Sequence, residues 1–492
     1  MTQTAKPGKG RKASGESKKH TVNPSLGAST SSMKQPANSQ RFPGEWALCI
    51  LLALLPLAYL IFHVVKYHVD VPSGDQWDMI PLFEKSFQGT ITFHDLWEQK
   101  AEHRPLFQRI IVIALARFSN WNISYEIGFN VCVAIASMVG LAALIVRSAR
   151  RLGVKGAIWA IPLVSIIFFG LNQWEDWLWG YGMYAFLNVF SLVYAMLALS
   201  SQPLRWKHLV AGFAMGVLST YSTASGVLLW PLGFLVLFFN HSVPAERRRN
   251  YLIAWAVVGL MVTASYLYGY HKPAYHPSMS VLFHHPARYV YYVFIYLGTP
   301  IVGKESFIFY SALANGAVIA GLSYTMVRER RAAWSDLSAY LALALYSLGT
   351  AMLTGVGRLG FGPDQAQSPR YVTLAVPYWI ATVVLIYLYL KTDNRRNASE
   401  VPAPVEKLAN PGLRRVALVG ILCVIMGRLT ATSFFSGHRG FVERHEQFEP
   451  VRAALLTDLN KDLVSRVYAD QDLVRERLAI LKKYGLSVYR PQ

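Results

Sequence analysis

Long apolar runs recur from residue 46 almost to the end of the chain, and no other feature restricts its fold as strongly. About 20 apolar residues in a helix cross the hydrocarbon core of a bilayer, because the helix satisfies its own backbone hydrogen bonds. Of the 492 residues 53% are hydrophobic and only 15% are charged, a balance that does not fit soluble domains. The sequence therefore predicts an all-α polytopic membrane protein with about 11 transmembrane helices. The predicted spans are residues 46–65, 124–146, 156–171, 183–200, 208–220, 226–240, 251–270, 306–327, 334–356, 372–390 and 414–431.

The positive charge of the chain, formally +20, is concentrated in short clusters between the apolar runs. Such clusters mark cytoplasmic connections, whereas a nucleic-acid surface would follow one face of a soluble module. We therefore expect a lipid bilayer as a partner and no nucleic acid. With 11 spans every cluster falls on one side, which predicts a cytoplasmic N-terminus and a C-terminus outside. The clusters are the N-terminal tail and residues 147–155, 205–207, 247–249, 328–331, 391–396 and 414–415.

Composition divides the chain into three regions. Residues 1–44 hold eight Lys or Arg and one Glu among many Ser, Gly, Pro, Gln and Asn, which predicts a disordered basic cytoplasmic tail. Residues 45–431 form the predicted transmembrane domain. In residues 432–492, Leu and Val recur at three- and four-residue spacing, which predicts a small outer helical segment. That segment either covers an outer cavity or docks a partner.

Two segments depart from simple spans. Residues 289–303 are apolar enough to cross, but a crossing would place the basic cluster at 328–331 outside, so we predict a short or re-entrant helix on the outer side. The sequence "YSTASG" at 221–226 separates two spans of only 13 to 15 residues. It predicts either a chain that turns inside a cavity or a tight outer hairpin.

The predicted outer segments hold most acids, Trp and His of the chain outside its ends. The first of them, residues 66–123, begins with "VPSGDQWDMI", which places Asp75 and Asp78 near a bilayer edge. Two helix-like stretches follow at 79–88 and 93–101. Pro105 then opens an amphipathic stretch at 106–118, which predicts an interfacial helix.

The run "GDQWD … DLWEQKAEHRPLFQR … NQWEDWLWGYGM … SPRYVT … YGLSVYR", with one span before a long outer loop, resembles the GT-C class of integral-membrane glycosyltransferases. It is similar in particular to a poorly characterised bacterial subgroup placed near that class. The resemblance implies membrane-parallel helices in the first outer loop. It also implies transfer of a sugar from a polyprenyl-phosphate donor to a cell-surface glycan or glycolipid acceptor, as in cell-envelope polysaccharide biosynthesis. The expected location is the outer face of the bacterial cytoplasmic (inner) membrane.

In GT-C enzymes an early acid of the first outer loop acts as the catalytic base. The resemblance carries this role to Asp75, with Asp78 as the next candidate, while an N-cap of the following helix is the structural alternative for both. A lipid phosphate needs a cationic partner, and an ionisable side chain near a span is a functional candidate. The candidates for donor-phosphate binding are Arg370, Arg288, Arg358 and Lys304, with Arg428 in the last span. The candidates for acceptor or sugar binding are Glu102, His103, Arg104, Trp174, Glu175, Asp176 and Tyr371.

The histidines His271, His276, His284 and His285 match no zinc-site spacing, and Cys49, Cys132 and Cys423 all lie within apolar runs. No residue is predicted as a metal ligand. The sequence leaves open whether carboxylates and the lipid phosphate together hold a divalent cation such as Mg²⁺ or Mn²⁺. Two other functions share the same features: a flippase or transporter of a lipid-linked or small polar solute, and a glycan polymerase or ligase.

Overall fold

A computed structural model of the chain describes residues 43–273, 280, 284–329, 331–392, 411–457 and 461–491. These residues form α-helices joined by short turns. The helices are α1 Pro43–Tyr67, α2 Ile80–Gln88, α3 Phe93–Trp97, α4 Leu106–Ser119, α5 Ile123–Leu152, α6 Ala160–Phe168, α7 Trp174–Trp177, α8 Met183–Leu199, α9 Trp206–Thr220, α10 Leu229–Phe239, α11 Ala245–Leu267, α12 Pro286–Gly298, α13 Glu305–Arg328, α14 Trp334–Arg358, α15 Val372–Lys391, α16 Pro411–Ala431, α17 His438–Leu456, α18 Lys461–Val464 and α19 Gln471–Tyr484. The predicted tail, residues 1–44, lies outside the described residues except for its last two positions.

Nine helical segments of the described residues are long and apolar enough to cross a membrane. These segments confirm the prediction of an all-α polytopic membrane protein, with nine candidate spans among the described residues. The two other predicted spans are α9, with 15 residues, and α10, with 11 residues. At about 1.5 Å per residue both are shorter than the bilayer core of about 30 Å. They meet at a turn inside the bundle.

The short connections between helices gather at one end of the bundle, here called the basic end. Arg147 Nη2 donates to Ser200 Oγ at 2.6 Å, and Asn240 Nδ2 donates to the Ser201 carbonyl at 2.9 Å. Glu329 binds Arg414 at 2.6 Å, so the start of α16 lies beside the end of α13. The first loop (residues 68–122) and the other long connections lie at the opposite end, here called the loop end.

The helix α12 begins and ends at the loop end. Tyr292, in the middle of the helix, donates to Gln365 at 2.5 Å, and Asn172 donates to the Pro300 carbonyl just after its end at 3.0 Å. With 13 residues it is about 20 Å long, which is too short for a full crossing. The structure thus has a short helix in this region, and its outer location stays a prediction.

The last apolar helix does not stop at residue 431. It continues through a π-helical turn, Thr432–Gly437, into α17, so that Gly412–Leu456 forms 45 helical residues, about 68 Å. A Cβ atom on Gly437 would lie 2.4 Å from the Leu171 backbone, so the helix passes very close to the loop end at this point. Arg444, two turns further on, donates to Ser73 Oγ at 2.9 Å.

The C-terminal clasp (residues 461–491) folds back onto the first loop. The ring of Tyr484 stacks on Phe87 of α2 with centroids 5.1 Å apart. The Gly74 amide donates to the Val467 carbonyl at 2.8 Å, and the Ser487 amide donates to the Asn120 carbonyl at 2.9 Å. The C-terminal segment thus holds the first loop at both of its ends.

We predict that Gly437→Ala lowers the Tm of the purified protein in detergent, because its new methyl group meets a backbone that cannot move aside. Gly420→Ala, on the same long helix, is the matched control, since a Cβ atom there meets nothing within 4 Å. Equal Tm values for the two variants would contradict the close approach.

Candidate functional site

A cavity of about 730 Å³ lies at the loop end. Its walls come from the first loop, the Trp-rich segment before α8, the turn between α9 and α10, and the loop-end parts of α11, α12, α14 and α15. Six of the predicted site residues line it, although they are distant in sequence. They are Asp75, Glu102, His103, Arg358, Arg370 and Tyr371.

A short 3₁₀ turn, Gly74–Met79, holds Asp75 in the cavity wall. Its other side is anchored in the core: the Trp77 indole donates to the Pro72 carbonyl at 3.0 Å and Gln76 Nε2 donates to Glu126 at 2.8 Å. Gly74 has φ +54°, a conformation that favours glycine. The N-cap of α2 is Met79 without a side-chain bond, so neither aspartate caps this helix and the structural alternative is wrong.

Asp78 is held in an ion cluster on the side of the turn that faces the C-terminal clasp. Arg477 binds it at 2.5 Å, Tyr468 donates to it at 3.1 Å, and Lys100 forms a further close ion pair. Burial raises the pKa of Asp78, but the bonds to Arg477 and Lys100 outweigh it and lower the pKa. Asp78 does not line the cavity.

Asp75 also has Lys100 as a neighbour, but it lines the cavity and makes no contact with Arg477. Its side chain is 49% exposed, towards the cavity, and Lys100 Nζ is 4.0 Å from its Oδ1. Burial raises the pKa of Asp75 above the ordinary value, opposed by Lys100 and supported by the negative charge of Asp78. Of the two carboxylates, only Asp75 can contact a molecule in the cavity.

Glu102 and His103 lie in a tight turn next to Lys100. Glu102 Oε1 accepts a bond from Arg358 at 2.7 Å and lies 3.7 Å from His103 Nε2. Burial would raise the pKa of Glu102, but the His103 ring and the Arg358 guanidinium outweigh it and lower the pKa. The Ala224 amide donates to His103 Nδ1 at 3.0 Å, which holds the ring with Nε2 towards Glu102.

Arg370 lines the cavity from the 3₁₀ turn Pro369–Tyr371, and Glu175 orients it from behind. The Arg370 amide donates to Glu175 Oε2 at 3.2 Å, and its Nε lies 3.5 Å from Oε1. The neighbouring Asp176 is fully buried and accepts from Thr373 at 2.6 Å. These two predicted sugar-binding acids therefore support the cavity wall and do not line it.

The other predicted binding residues lie away from the cavity lining. Arg104 is buried and donates to the carbonyls of Tyr266, at 2.7 Å, and Tyr268, at 2.5 Å, at the end of α11. Trp174 packs on Gly440 of the long C-terminal helix. Arg288 and Lys304 are exposed outside the cavity. Arg428 donates to the Val302 carbonyl at 2.7 Å.

Lys100 and most of the aromatic lining are not among the site residues predicted from the sequence. Lys100 is within the quoted "DLWEQKAEHR", but its position between two carboxylates depends on the fold. The aromatic side chains in the wall besides Tyr371 are Trp179, Tyr181, Tyr184, Tyr266, Tyr270 and Tyr296. They come from three separate stretches, around 179–184, 266–270 and 296, so no single local pattern marks them.

The turn between α9 and α10 lies inside the cavity, in agreement with the first of its two alternatives. Ser222, Thr223 and Ser225 line the cavity. Gly226 allows the turn, because a Cβ atom there would lie 1.8 Å from the Ser219 carbonyl oxygen. Polar backbone at this depth is tolerated because it faces a cavity.

Among the described residues, no three His, Cys, Asp or Glu side chains are arranged to hold a metal ion. His284 and His285 are exposed, and His276 lies outside the described residues.

No protein family, no curated protein and no solved structure matches the chain.

We predict that Arg477→Met loosens the C-terminal clasp, because Asp78 loses a hydrogen-bonded charge partner at a largely buried site. Loss of a hydrogen bond to a charged group costs about 1.5–3 kcal/mol, so opening of α19 should become roughly ten- to a hundredfold more frequent in hydrogen exchange. Arg475→Met, an exposed pair with Asp472 on the same helix, is the control. Unchanged protection in Arg477→Met would show that the ion cluster does not hold the clasp.

Proposed function

We propose that this protein is a GT-C-like membrane glycosyltransferase. It would move a sugar from a polyprenyl-phosphate donor onto a glycan or glycolipid acceptor at the outer face of a bacterial cytoplasmic membrane. The observation that carries the proposal is the meeting of Asp75 and Arg370, from opposite parts of the chain, in one cavity at the loop end. A carboxylate and a guanidinium in one cavity are what a transfer between an alcohol and a lipid phosphate requires.

Asp75 is the proposed base. The acceptor hydroxyl is a weak nucleophile, and a carboxylate that takes its proton during attack on the anomeric carbon accelerates the reaction. Asp75 is exposed to the cavity, and burial raises its pKa, which makes it a stronger proton acceptor than a solvent-exposed aspartate. Attack by the hydroxyl with direct departure of the phosphate would invert the anomeric configuration. Asp78 is proposed as the residue that positions Lys100.

The charge of the cavity suits a phosphate leaving group. Its described lining includes four Lys or Arg side chains and two carboxylates, Asp75 and Glu102. The four cationic residues are Lys100, Lys272, Arg358 and Arg370. An excess of cations stabilises the negative charge that develops on the departing lipid phosphate. Arg370 is favoured as the direct phosphate contact because its guanidinium can bind two phosphate oxygens at once.

The cavity also has an apolar opening that suits a lipid. Leu267 of α11 and Leu353 of α14 line the cavity, and yet 55% and 42% of their surface is exposed. Apolar side chains that belong both to a cavity and to the surface of a membrane bundle indicate a lateral opening towards lipid. A polyprenyl chain could leave through this opening while its phosphate stays beside Arg370. We also propose that the basic end faces the cytoplasm.

The central experiment measures transfer from labelled polyprenyl-phosphate sugars in membranes that contain the protein or a variant. Asp75→Asn should reduce transfer about a hundred- to ten-thousandfold at normal protein levels, since the base is lost. Asp472→Asn, whose side chain is 93% exposed, is the matched control and should transfer normally. Wild-type rates in Asp75→Asn would refute the proposed mechanism.

The pH dependence of transfer gives a second prediction. The charged and titratable groups that face Asp75 are Lys100, Asp78, His103 and Arg370. Because the pKa of Asp75 is raised, kcat/KM should fall on acidification at a pH above the ordinary aspartate value of about 4. Asp78→Asn removes a neighbouring negative charge and leaves Lys100 to pair with Asp75. Both changes favour the ionised carboxylate, so the acid limb should move to lower pH, and a shift to higher pH would contradict this arrangement.

Arg370→Gln tests the phosphate contact. We expect the KM for the donor lipid to rise about tenfold or more, because a charge-assisted bond contributes roughly 1.5–3 kcal/mol. Arg288→Gln is the control, since Arg288 is exposed and lies outside the cavity lining. An equal KM in both variants would exclude Arg370 from donor binding.

A further inference from the structure

The short helix α10 leaves a gap between α11 and α14 at the loop end. Nearer the basic end α10 separates these two helices. The Trp255 indole of α11 donates to the Trp230 carbonyl of α10 at 2.7 Å. On the other side, a Cβ atom on Gly349 of α14 would lie 2.8 Å from the side chain of Leu228, at the start of α10. Because α10 begins at Leu229, directly after the turn that lines the cavity, the cavity takes its place towards the loop end.

Glu102 of the first loop connects the two sides of this gap. Its backbone carbonyl accepts a bond from the Tyr266 hydroxyl of α11 at 2.6 Å, and its carboxylate accepts one from Arg358, at the end of α14, at 2.7 Å. These two bonds are here called the Glu102 bridge. Leu267 and Leu353, the apolar residues of the lateral opening, belong to the same two helices. The bridge therefore joins the helices that flank the proposed route of the lipid.

The two ends of the bridge differ in strength. On the α11 side Arg104 also donates to the carbonyls of Tyr266, at 2.7 Å, and Tyr268, at 2.5 Å, so the first loop is anchored there by several bonds. On the α14 side the bridge is an ion pair of two side chains, Glu102 and Arg358, which are 21% and 26% exposed and line the cavity. An anion in the cavity can therefore reach this end and exchange with the carboxylate while the α11 side stays in place.

We propose that Arg358 is the entry contact for the lipid phosphate: a phosphate that arrives between α11 and α14 replaces the Glu102 carboxylate on the Arg358 guanidinium and so opens the bridge. A guanidinium offers phosphate oxygens the same paired donors that it offers a carboxylate, so one anion can take the place of the other. His103 Nε2 lies 3.7 Å from the Glu102 carboxylate, so the released side chain keeps a polar neighbour in the cavity. The inference rests on the lipid-phosphate ligand of the proposed function, but not on transfer of a sugar.

The exchange makes entry selective for the head group. A prenyl alcohol has no charge and cannot replace a carboxylate on a guanidinium. A phosphate monoester carries a charge of about −1.5 to −2 at pH 7, whereas the phosphodiester of a sugar-bearing lipid carries a single negative charge. Bare prenyl phosphate, the product that the proposed transfer would leave, should therefore compete with Glu102 more strongly than the donor does.

The first test asks whether the bridge limits entry. Association of a fluorescently labelled farnesyl phosphate is followed by stopped flow, with the protein in phosphatidylcholine nanodiscs. Glu102→Asp keeps the charge of the cavity but shortens the side chain by one methylene group. Because the bond to Arg358 is then lost, we expect association about tenfold faster than in the wild type. Equal rates in Glu102→Asp and the wild type would overturn the proposal.

Two further variants separate the bridge from other effects. Glu84→Asp makes the same change in an ion pair outside the cavity lining, with Lys483 at 3.0 Å, and should associate at the wild-type rate. Glu102→Gln keeps the size of the side chain and weakens the bond to Arg358, so its association should also be faster. A faster rate in Glu102→Gln but not in Glu102→Asp would show that the charge of the cavity controls entry, which would overturn the bridge.

The second test asks whether Arg358 contacts the phosphate. Arg358→Gln is introduced into Glu102→Asp, in which the bridge is already open. It should slow association of farnesyl phosphate about tenfold or more relative to Glu102→Asp and leave association of farnesol unchanged. Arg288→Gln in the same background is the control, because Arg288 is exposed and lies outside the cavity lining. An equal rate for farnesyl phosphate in both double variants would exclude Arg358 as the entry contact.

These binding measurements also separate the inference from the proposed function. If the wild type transfers sugar but Glu102→Asp and the Arg358 variant bind farnesyl phosphate at the wild-type rate, the transferase proposal stands and the entry contact fails. If the variants change the association rates as expected but the wild type transfers sugar from no donor, the entry contact is supported and the transferase proposal fails.

Discussion

The fully buried carboxylate of Glu126, in the first turn of α5, is the interaction on which the site depends. It accepts bonds from Gln76 in the turn Gly74–Met79, here called the acid turn, and from Trp121 at the end of the first loop, both at 2.8 Å. Gly180 packs directly against it, since a Cβ atom there would lie 2.1 Å from its oxygen. One buried acceptor thus joins the first loop, the Trp-rich segment and the bundle, and removing it would leave two buried donors unpaired.

The two aspartates of the acid turn show how environment separates equal side chains into different roles. They are three residues apart and share Lys100 as a neighbour. The C-terminal clasp supplies Arg477 to only one of them, which neutralises Asp78 and leaves Asp75 facing the cavity. The clasp therefore contributes to the electrostatics of the site although it contributes no residue to the cavity lining. The last residues of the chain bind the first loop of the same chain.

The sequence anticipated much of the bundle and part of the site. Apolar runs indicated an all-α membrane protein, and nine helical segments of the described residues are long and apolar enough to cross a membrane, because hydropathy is a local property of the chain. Six candidate residues, Asp75 and Arg370 among them, line one cavity. The errors have physical reasons: α17 continues the last span because Gly437 and Gly440 let the helix pass close to its neighbours, and Arg104 binds backbone carbonyls at the end of α11. In each of these contacts the two partners are far apart in the sequence.

The sequence by itself determined that the chain is an α-helical membrane protein with its basic connections on one side, since hydropathy and charge act on each segment separately. Only the tertiary structure decided which aspartate faces the cavity and that Lys100 stands between the two aspartates. The reason is that pKa, burial and hydrogen-bond satisfaction depend on neighbours brought together from distant parts of the chain. Such neighbours leave no pattern in any single stretch of residues.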